Sequence, residues 1–166
     1  MNGNCHFMFG TVTGISLSLI LHLDFDESVL LTSTAMIGSI FPDIDAESSS
    51  FGSLTKPIST VIYKINSAFG HSKEKHRGIF HDLALWVGLL ILSLYQFPVL
   101  KGFFIGGLSH LFLDMFNPAG IPVFFISRIR LAKIKAMSTE ANVLTCIITV
   151  LFFTFSLLYN LQIIKF

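Results

Sequence analysis

Histidine and aspartate residues lie in or beside segments that are otherwise apolar. His110 and Asp114 stand four residues apart within one apolar run, and Asp43 and Asp45 end another, in the motif Pro-Asp-Ile-Asp. Because an ionisable group in hydrocarbon is costly, such residues are candidates for function. Imidazole and carboxylate together suit zinc, manganese or iron. The residue types therefore predict a metal site.

A third cluster of the same chemistry follows a basic stretch. His76 and His81 stand five residues apart, with Arg77 and Gly78 directly after the first of them. Gly78 permits backbone conformations that other residues avoid, so both imidazoles could turn towards one site. Arg77 could hold a phosphate or a carboxylate through two parallel hydrogen bonds. The alternative interpretation is a basic flank that sets membrane topology, and we assign that role to the neighbouring lysines.

Each cluster also has a purely structural interpretation. His110 and Asp114 share one helix face and could form a hydrogen-bonded pair between helices. Asp43 and Asp45 could simply follow a helix end, although the helix dipole disfavours carboxylates there. His6 lies near the start of the chain, where a lone histidine is as often a bystander as a ligand. Three clusters of one chemistry favour the metal site over three independent coincidences.

The composition is typical of an integral membrane protein. Of 166 residues, 52% are hydrophobic, 13% are charged and 18 are Phe, and the mean hydropathy is +0.73. A soluble domain of this length is less apolar. The net charge of +1 gives no indication of nucleic acid, and no such partner is predicted. Two cysteines, Cys5 and Cys146, exclude a disulfide framework. We expect a single integral membrane domain over residues 1–166.

The predicted fold is all-α, a polytopic membrane protein of about five apolar helices, some of them short or re-entrant. The apolar stretches are about 7–23, 29–44, 79–97, 99–116 and 142–164. The last, at ~20 residues, is long enough to span a bilayer alone. Small residues that would allow close helix contact are Gly10, Gly14, Gly38, Gly106 and Gly107.

Two connecting segments could lie on the membrane surface. Apolar residues from Ile58 to Phe69 follow helical spacing, which predicts a short interfacial helix. The basic segment 128–135 is ambiguous between the periods of a strand and of a helix. In either form its cations would favour anionic headgroups.

If all five stretches span, every candidate cluster falls on the same membrane face. Nine basic residues fall on that face, against only Lys101 and Lys165 on the other; the nine are Lys56, Lys64, Lys73, Lys75, Arg77, Arg128, Arg130, Lys133 and Lys135. This asymmetry predicts that the face is cytoplasmic. We therefore expect a multi-pass protein of the cell (inner) membrane with its metal site on the cytoplasmic side.

These motifs, in this order, resemble the YdjM-like family of membrane-bound, metal-dependent hydrolases, also described as LexA-binding inner-membrane proteins. The family has an early His, Pro-Asp-hydrophobic-Asp, His-Arg-Gly-x-x-His, and His-x-x-x-Asp followed by Asn-Pro-x-Gly. Their counterparts here, within about residues 4–126, are His6, Pro42–Asp45, His76–His81, His110–Asp114 and Asn117–Gly120. One departure is Phe-His-Asp82 where the family often has Thr-His-Ser. Asp82 could replace that hydroxyl or add a ligand.

The leading hypothesis is a metal-dependent hydrolase that acts on a phosphoester at the cytoplasmic membrane surface. Three or four ligands suffice for one zinc, whereas seven candidates suggest two ions with Asp43 or Asp45 as the bridging carboxylate. A two-metal site is typical of enzymes that hydrolyse phosphoesters. Arg77 and Asp45 are the predicted catalytic residues, and Arg128 or Arg130 could help to neutralise a phosphate. The candidate ligands are His6, Asp43, Asp45, His76, His81, His110 and Asp114.

The predicted partners are membrane lipid and an anionic lipid or lipid-linked phosphate as substrate. A binding or regulatory membrane protein with a structural metal site is the main alternative. A proton or metal-ion transporter is a third class. Clustering of the ionisable residues at one face, instead of along a route across the membrane, argues against transport.

Overall fold

The computed structural model describes residues 3–45, 49–68, 78–95, 100–124, 126–135 and 138–164, and within them it is mostly helical. The α-helices are α1 (Gly3–Ile20), α2 (Phe25–Gly38), α3 (Ser50–Leu54), α4 (Lys56–Ala68), α5 (Leu83–Tyr95), α6 (Lys101–Asp114) and α7 (Thr139–Asn160). Two short 3-10 helices, Phe41–Asp45 and Ile79–His81, follow α2 and precede α5. Two strands, β1 (Ile121–Val123) and β2 (Ser127–Ile129), follow α6.

The longer helices surround α1 and α6. Helix α1 packs against α2, α6 and α7, α2 also packs against α6, and α5 packs against α6. Helices α1 and α7 run in the same direction, because Cys5 near the start of α1 contacts Asn142 near the start of α7, and Asn160 at the end of α7 donates to the carbonyl of Leu19 at the end of α1. The start of α1 therefore lies beside the start of α7.

Helices α2 and α6 run in the same direction and approach very closely. A Cβ atom added at Gly106 would overlap the Ala35 carbonyl, and one added at Gly38 would overlap the backbone of Phe103. Only residues without a side chain permit this separation. Both helices consequently end at the same side of the protein, and the predicted role of these glycines in helix contact is confirmed.

A small aromatic core lies between α5, α6 and the hairpin. Trp86 is 1% exposed and packs with Leu111 and Ile121. Its indole N–H donates to the Phe80 carbonyl at 2.7 Å, as a buried indole requires. Phe41 packs edge-on against Trp86. This core fixes both 3-10 helices against α6, next to the candidate site.

The two strands form an antiparallel hairpin in which Ile121 pairs with Ile129 and Val123 pairs with Ser127. The prediction of an all-α chain is wrong for this element. Strands of three residues are too short for periodicity to identify them, and the sequence of 128–135 was ambiguous for that reason. Gly120 precedes β1 with a φ of +64°, a left-handed conformation that favours glycine.

The five long apolar helices overlap the predicted stretches, with ends that differ by up to six residues, the largest difference being at the end of α2. Their ability to span a membrane differs. Among the described residues, α7 is the one helix long and apolar enough to cross, and Leu83–Leu94 is a shorter apolar helix. That all five helices span stays a prediction. Helix α4 confirms the predicted helical character of residues 58–68, while its location at a membrane surface stays a prediction.

Candidate metal centre

Five of the predicted ligands come together at one end of the helices. His6 lies on the first turns of α1, Asp43 on the 3-10 helix after α2, and His81 on the 3-10 helix before α5. His110 and Asp114 lie one turn apart at the end of α6. The arrangement follows from the helix directions, since α1 begins where α2 and α6 end.

The cluster is almost entirely withdrawn from solvent. The three histidines are 0–2% exposed and Asp114 is 4% exposed, whereas the Asp43 side chain is 22% exposed. Asp43 is therefore the one member of this cluster with substantial access to the outside. Burial raises the pKa of the Asp43 carboxyl above its ordinary value, and the nearby His6 and His81 oppose this rise.

The distances between ring nitrogens and carboxylate oxygens fall in a narrow range. Nε2 of His110 lies 3.7 Å from Oδ1 of Asp43 and 3.9 Å from Oδ2 of Asp114. Nε2 of His81 lies at the same two distances, 3.7 and 3.9 Å, from the same two oxygens. Nε2 of His6 lies 3.4 Å from Oδ1 of Asp114. Most of these separations are too long for direct hydrogen bonds.

The same separations fit ligands around a common ion. Zinc bonds of ~2.0–2.2 Å in tetrahedral geometry place ligand atoms about 3.3–3.6 Å apart, close to the observed values. Two overlapping groups have ligand atoms within 4.8 Å of one another, namely His6, His110 and Asp114, and Asp43, His81 and His110. These groups could hold a metal ion, and His110 belongs to both.

The tautomer of His110 is fixed by the end of α2. Nδ1 of His110 lies 2.7 Å from the Ser39 carbonyl oxygen, and because a carbonyl only accepts, Nδ1 must donate its proton there. In the neutral ring, Nε2 then carries no proton, and its lone pair faces two carboxylates. Within the described part of the chain this buried nitrogen has no hydrogen-bond partner. A cation between Nε2 and the carboxylates would remove the repulsion.

A second polar contact orients Asp114. The Asn117 side-chain amide donates to Oδ1 of Asp114 at 2.6 Å, and Asn117 is 3% exposed. His6 contacts the same oxygen, and its ring stacks on that of His110 with centroids 3.7 Å apart. Buried contacts of this kind hold ligand side chains in place at metal sites.

Sequence reasoning did not assign roles to two of these groups. Asn117 belongs to the quoted Asn-Pro-x-Gly motif, and its position three residues after Asp114 was the available signal. Ser39 acts through its backbone carbonyl, which any residue supplies, so no sequence signal identifies it. Only the close packing of α2 on α6 places that carbonyl against His110.

Asp82 is not a member of either group of potential ligands. Its Oδ1 accepts from the backbone amides of Ala84 and Leu85, at 2.9 and 3.3 Å, at the start of α5. The same oxygen accepts from the Phe124 amide at 3.3 Å, in the hairpin. Asp82 therefore begins a helix and joins it to the hairpin.

The remaining candidates are not part of the described cluster. His76, Arg77 and the side chain of Asp45 lie outside the described residues, so their predicted roles stay predictions. Arg128 and Arg130 donate to the carbonyls of Ala119 and Pro118, at 3.1 and 2.7 Å. Both arginines thus contact the loop that follows Asp114.

Cys5 and His22 are not members of either group of potential ligands. Cys5 donates from Sγ to Oδ1 of Asn142 at 3.2 Å, and this contact joins α1 to α7. His22 lies 3.3 Å from Asn160 at the opposite end of α1. It is therefore remote from the cluster.

Comparison with known proteins identifies the family. The family model described as YdjM inner membrane protein matches residues 1–164. Inner membrane protein YdjM of Escherichia coli (strain K12) is 31% identical over 131 residues, 74% of this chain, which spans 63% of that relative's length. Protein YvsG of Bacillus subtilis (strain 168) is 28% identical over 142 residues, 84% of this chain and 82% of that protein. No solved structure matches.

These matches confirm the resemblance seen in the motifs, and the chain belongs to the YdjM inner membrane protein family.

Proposed function

We propose that this protein is a membrane-bound, metal-dependent hydrolase that cleaves a phosphoester of a lipid or lipid-linked substrate at the cytoplasmic face. Family membership supports the membrane location, and the buried cluster of three histidines and two aspartates supports metal binding. The reaction and the substrate are inferred from the chemistry of this donor set and from its position at the end of the helices.

The observation that most favours a metal is the environment of His110. Its Nδ1 proton is committed to the Ser39 carbonyl, so the lone pair of Nε2 points at carboxylate oxygens of Asp43 and Asp114. Without a cation, a buried lone pair facing two carboxylates is unfavourable. A divalent ion converts the same arrangement into a set of ligands.

The donor set suits zinc, with manganese or iron as alternatives. A bound ion would supply Lewis acidity towards a phosphoryl oxygen. His110 has a single available lone pair, on Nε2, so it can bind only one ion even though it belongs to both groups of ligands. A second ion would require further ligands, for which His76 and Asp45 are the candidates.

The protein's own residues suggest how a substrate would approach. Asp43 is the cluster member with an exposed edge, so a phosphoester arriving from outside meets this carboxylate first. Asp114 is held by Asn117 and His6 on the buried side and serves as a fixed ligand. Arg77 and Asp45 retain their proposed roles in binding the phosphate and in catalysis.

The proposed topology places the cluster on the cytoplasmic side. All five converging residues lie at the end where α1, α5 and α7 begin and α2 and α6 end. If all five apolar stretches span, most basic residues of the loops fall on that side, which is typical of cytoplasmic loops. Helix α7 is long enough to span, and we propose that α1, α2, α5 and α6 pack beside it within the membrane.

A structural metal site is the second candidate, and the burial of the cluster favours it. Structural zinc sites are closed by four protein ligands, whereas catalytic sites keep one position open. His6, His81 and His110 have no appreciable exposure. The exposed edge of Asp43 favours the catalytic alternative, because it leaves a route to the ion.

Metal content of the detergent-purified protein is the first test. His110→Ala should lose the metal found in the wild type by elemental analysis, while His22→Ala, a histidine at the opposite end, should retain it. Absence of metal from wild type even after zinc, manganese and iron are added back would overturn the proposal. Metal-loaded wild type should then hydrolyse a member of a lipid phosphoester panel. Intact metal binding without turnover would favour the structural site.

A further inference from the structure

The hairpin next to the candidate site presents an apolar surface surrounded by cations. Its large apolar side chains are strongly exposed: Phe124 is 69% exposed, Ile126 is 91% exposed and Leu131 is 56% exposed. The basic residues of the same segment are all exposed as well, and we define the hairpin surface by the whole set: Phe124, Ile126, Arg128, Ile129, Arg130, Leu131, Lys133 and Lys135.

The alternation along β2 separates the two chemistries. Side chains of a strand point to opposite faces in turn, so Arg128 and Ile129 lie on opposite faces of β2, and Arg130 follows directly after the strand. Both arginines donate to carbonyls of the neighbouring loop, at Ala119 and Pro118. These contacts orient the guanidinium groups and leave the apolar side chains of the tip directed away from the protein.

We propose that the hairpin surface docks on an anionic phospholipid leaflet, with Phe124 and Ile126 inserted below the headgroups. Neighbouring large apolar side chains that are exposed together are typical of an interaction site. Apolar side chains beside arginines and lysines match a bilayer interface, where acyl chains lie below a layer of negative charge. This complementarity of charge favours lipid over a protein partner.

The position of the hairpin links this docking to the candidate metal centre. Arg128 and Arg130 bind the loop that begins at Asn117, and Asn117 binds Asp114. A leaflet that holds the hairpin surface would therefore also hold the end of α6 at the headgroup layer. The docking does not depend on hydrolase activity, so the two proposals fail independently.

Spin labelling of the full-length protein in lipid nanodiscs tests the depth of the tip. In a background of Cys5→Ser and Cys146→Ser, a nitroxide is attached at Ile126→Cys and, as a matched exposed control, at Ala119→Cys. We expect the label at 126 to collide more with oxygen and less with a water-soluble nickel chelate than the label at 119. Leu131→Cys provides a second reporter if labelling at 126 disturbs folding, which circular dichroism monitors.

The lipid composition tests the contribution of charge. Nanodiscs that contain phosphatidylglycerol should give a deeper label at 126 than nanodiscs of phosphatidylcholine alone. Neutralising the four cations of the hairpin surface to Gln should abolish this difference. Equal nickel access at 126 and 119 in both lipids would overturn the proposal, and protection of 126 only in a cross-linked dimer would show that a second copy covers the surface.

Discussion

Removal of the Asn117 amide should weaken metal binding without removing a ligand. The amide donates to Oδ1 of Asp114 at 2.6 Å, and the two side chains are 3% and 4% exposed. A hydrogen bond to a charged group contributes about 1.5–3 kcal/mol. Loss of a partner behind a ligand typically reduces metal affinity ~10–100-fold. At ~1.4 kcal/mol for each factor of ten, the two ranges agree.

The comparison is between Asn117→Ala and Asn160→Ala. Asn160 also donates from its side-chain amide, to the Leu19 carbonyl at 2.9 Å, but at the far end of α7. Competition between the detergent-solubilised protein and a chromophoric zinc chelator gives the dissociation constant of each. We expect a ~10–100-fold increase for Asn117→Ala and no change for Asn160→Ala.

An unchanged dissociation constant for Asn117→Ala, with the helical circular dichroism intact, would refute the reasoning. Metal binding by Asp114 would then not depend on the hydrogen bond from Asn117. Equal weakening in both variants would instead indicate a general loss of stability. The specific prediction is that only the amide next to Asp114 affects the metal.

Two further predictions concern stability in detergent, measured as thermal midpoints by circular dichroism. Gly106→Ala should reduce the free energy of unfolding by about 1–3 kcal/mol, because the added methyl group overpacks against the Ala35 carbonyl, and its thermal midpoint should fall. Gly88→Ala, with open space around it, should keep the midpoint or raise it. The reverse order would contradict the close packing of α2 on α6. Asp82→Ala should reduce the free energy of unfolding by ~0.5–2 kcal/mol through the lost helix cap, and further through the lost hydrogen bond to the hairpin. Asp24→Ala should reduce it less, because Asp24 is an exposed cap that accepts from the Glu27 amide. Equal losses would count against the link between Asp82 and the hairpin.

Sequence spacing predicted the part of the site that depends on helix geometry. His110 and Asp114 are four residues apart, so one helix must present both on one face. The alternation of apolar stretches with loops also placed His6, Asp43 and His81 at the same end as this pair. The structure brings these five residues together because successive apolar helices alternate in direction, which places alternate connecting segments at the same end.

The rest of the site depends on contacts that spacing does not encode. The carbonyl that fixes the His110 tautomer belongs to Ser39, and its position follows from the contact of two helix backbones at Gly106. The capping role of Asp82 follows from where α5 begins, four positions later than the predicted apolar stretch. The hairpin was missed because its strands of three residues give no clear period.

The origin of the ligands bears on whether the metal is structural or catalytic. Because the five side chains come from four separate segments, the site exists only in the folded chain, and metal binding must stabilise the fold in either case. Stabilisation by metal therefore cannot distinguish the two functions. The accessibility of Asp43 bears on the choice more directly, because among the five residues only its side chain, at 22% exposure, can be reached from outside. One accessible carboxylate in an otherwise buried ligand set is compatible with the open coordination position that a catalytic site needs, and this supports the proposed hydrolase over the structural alternative.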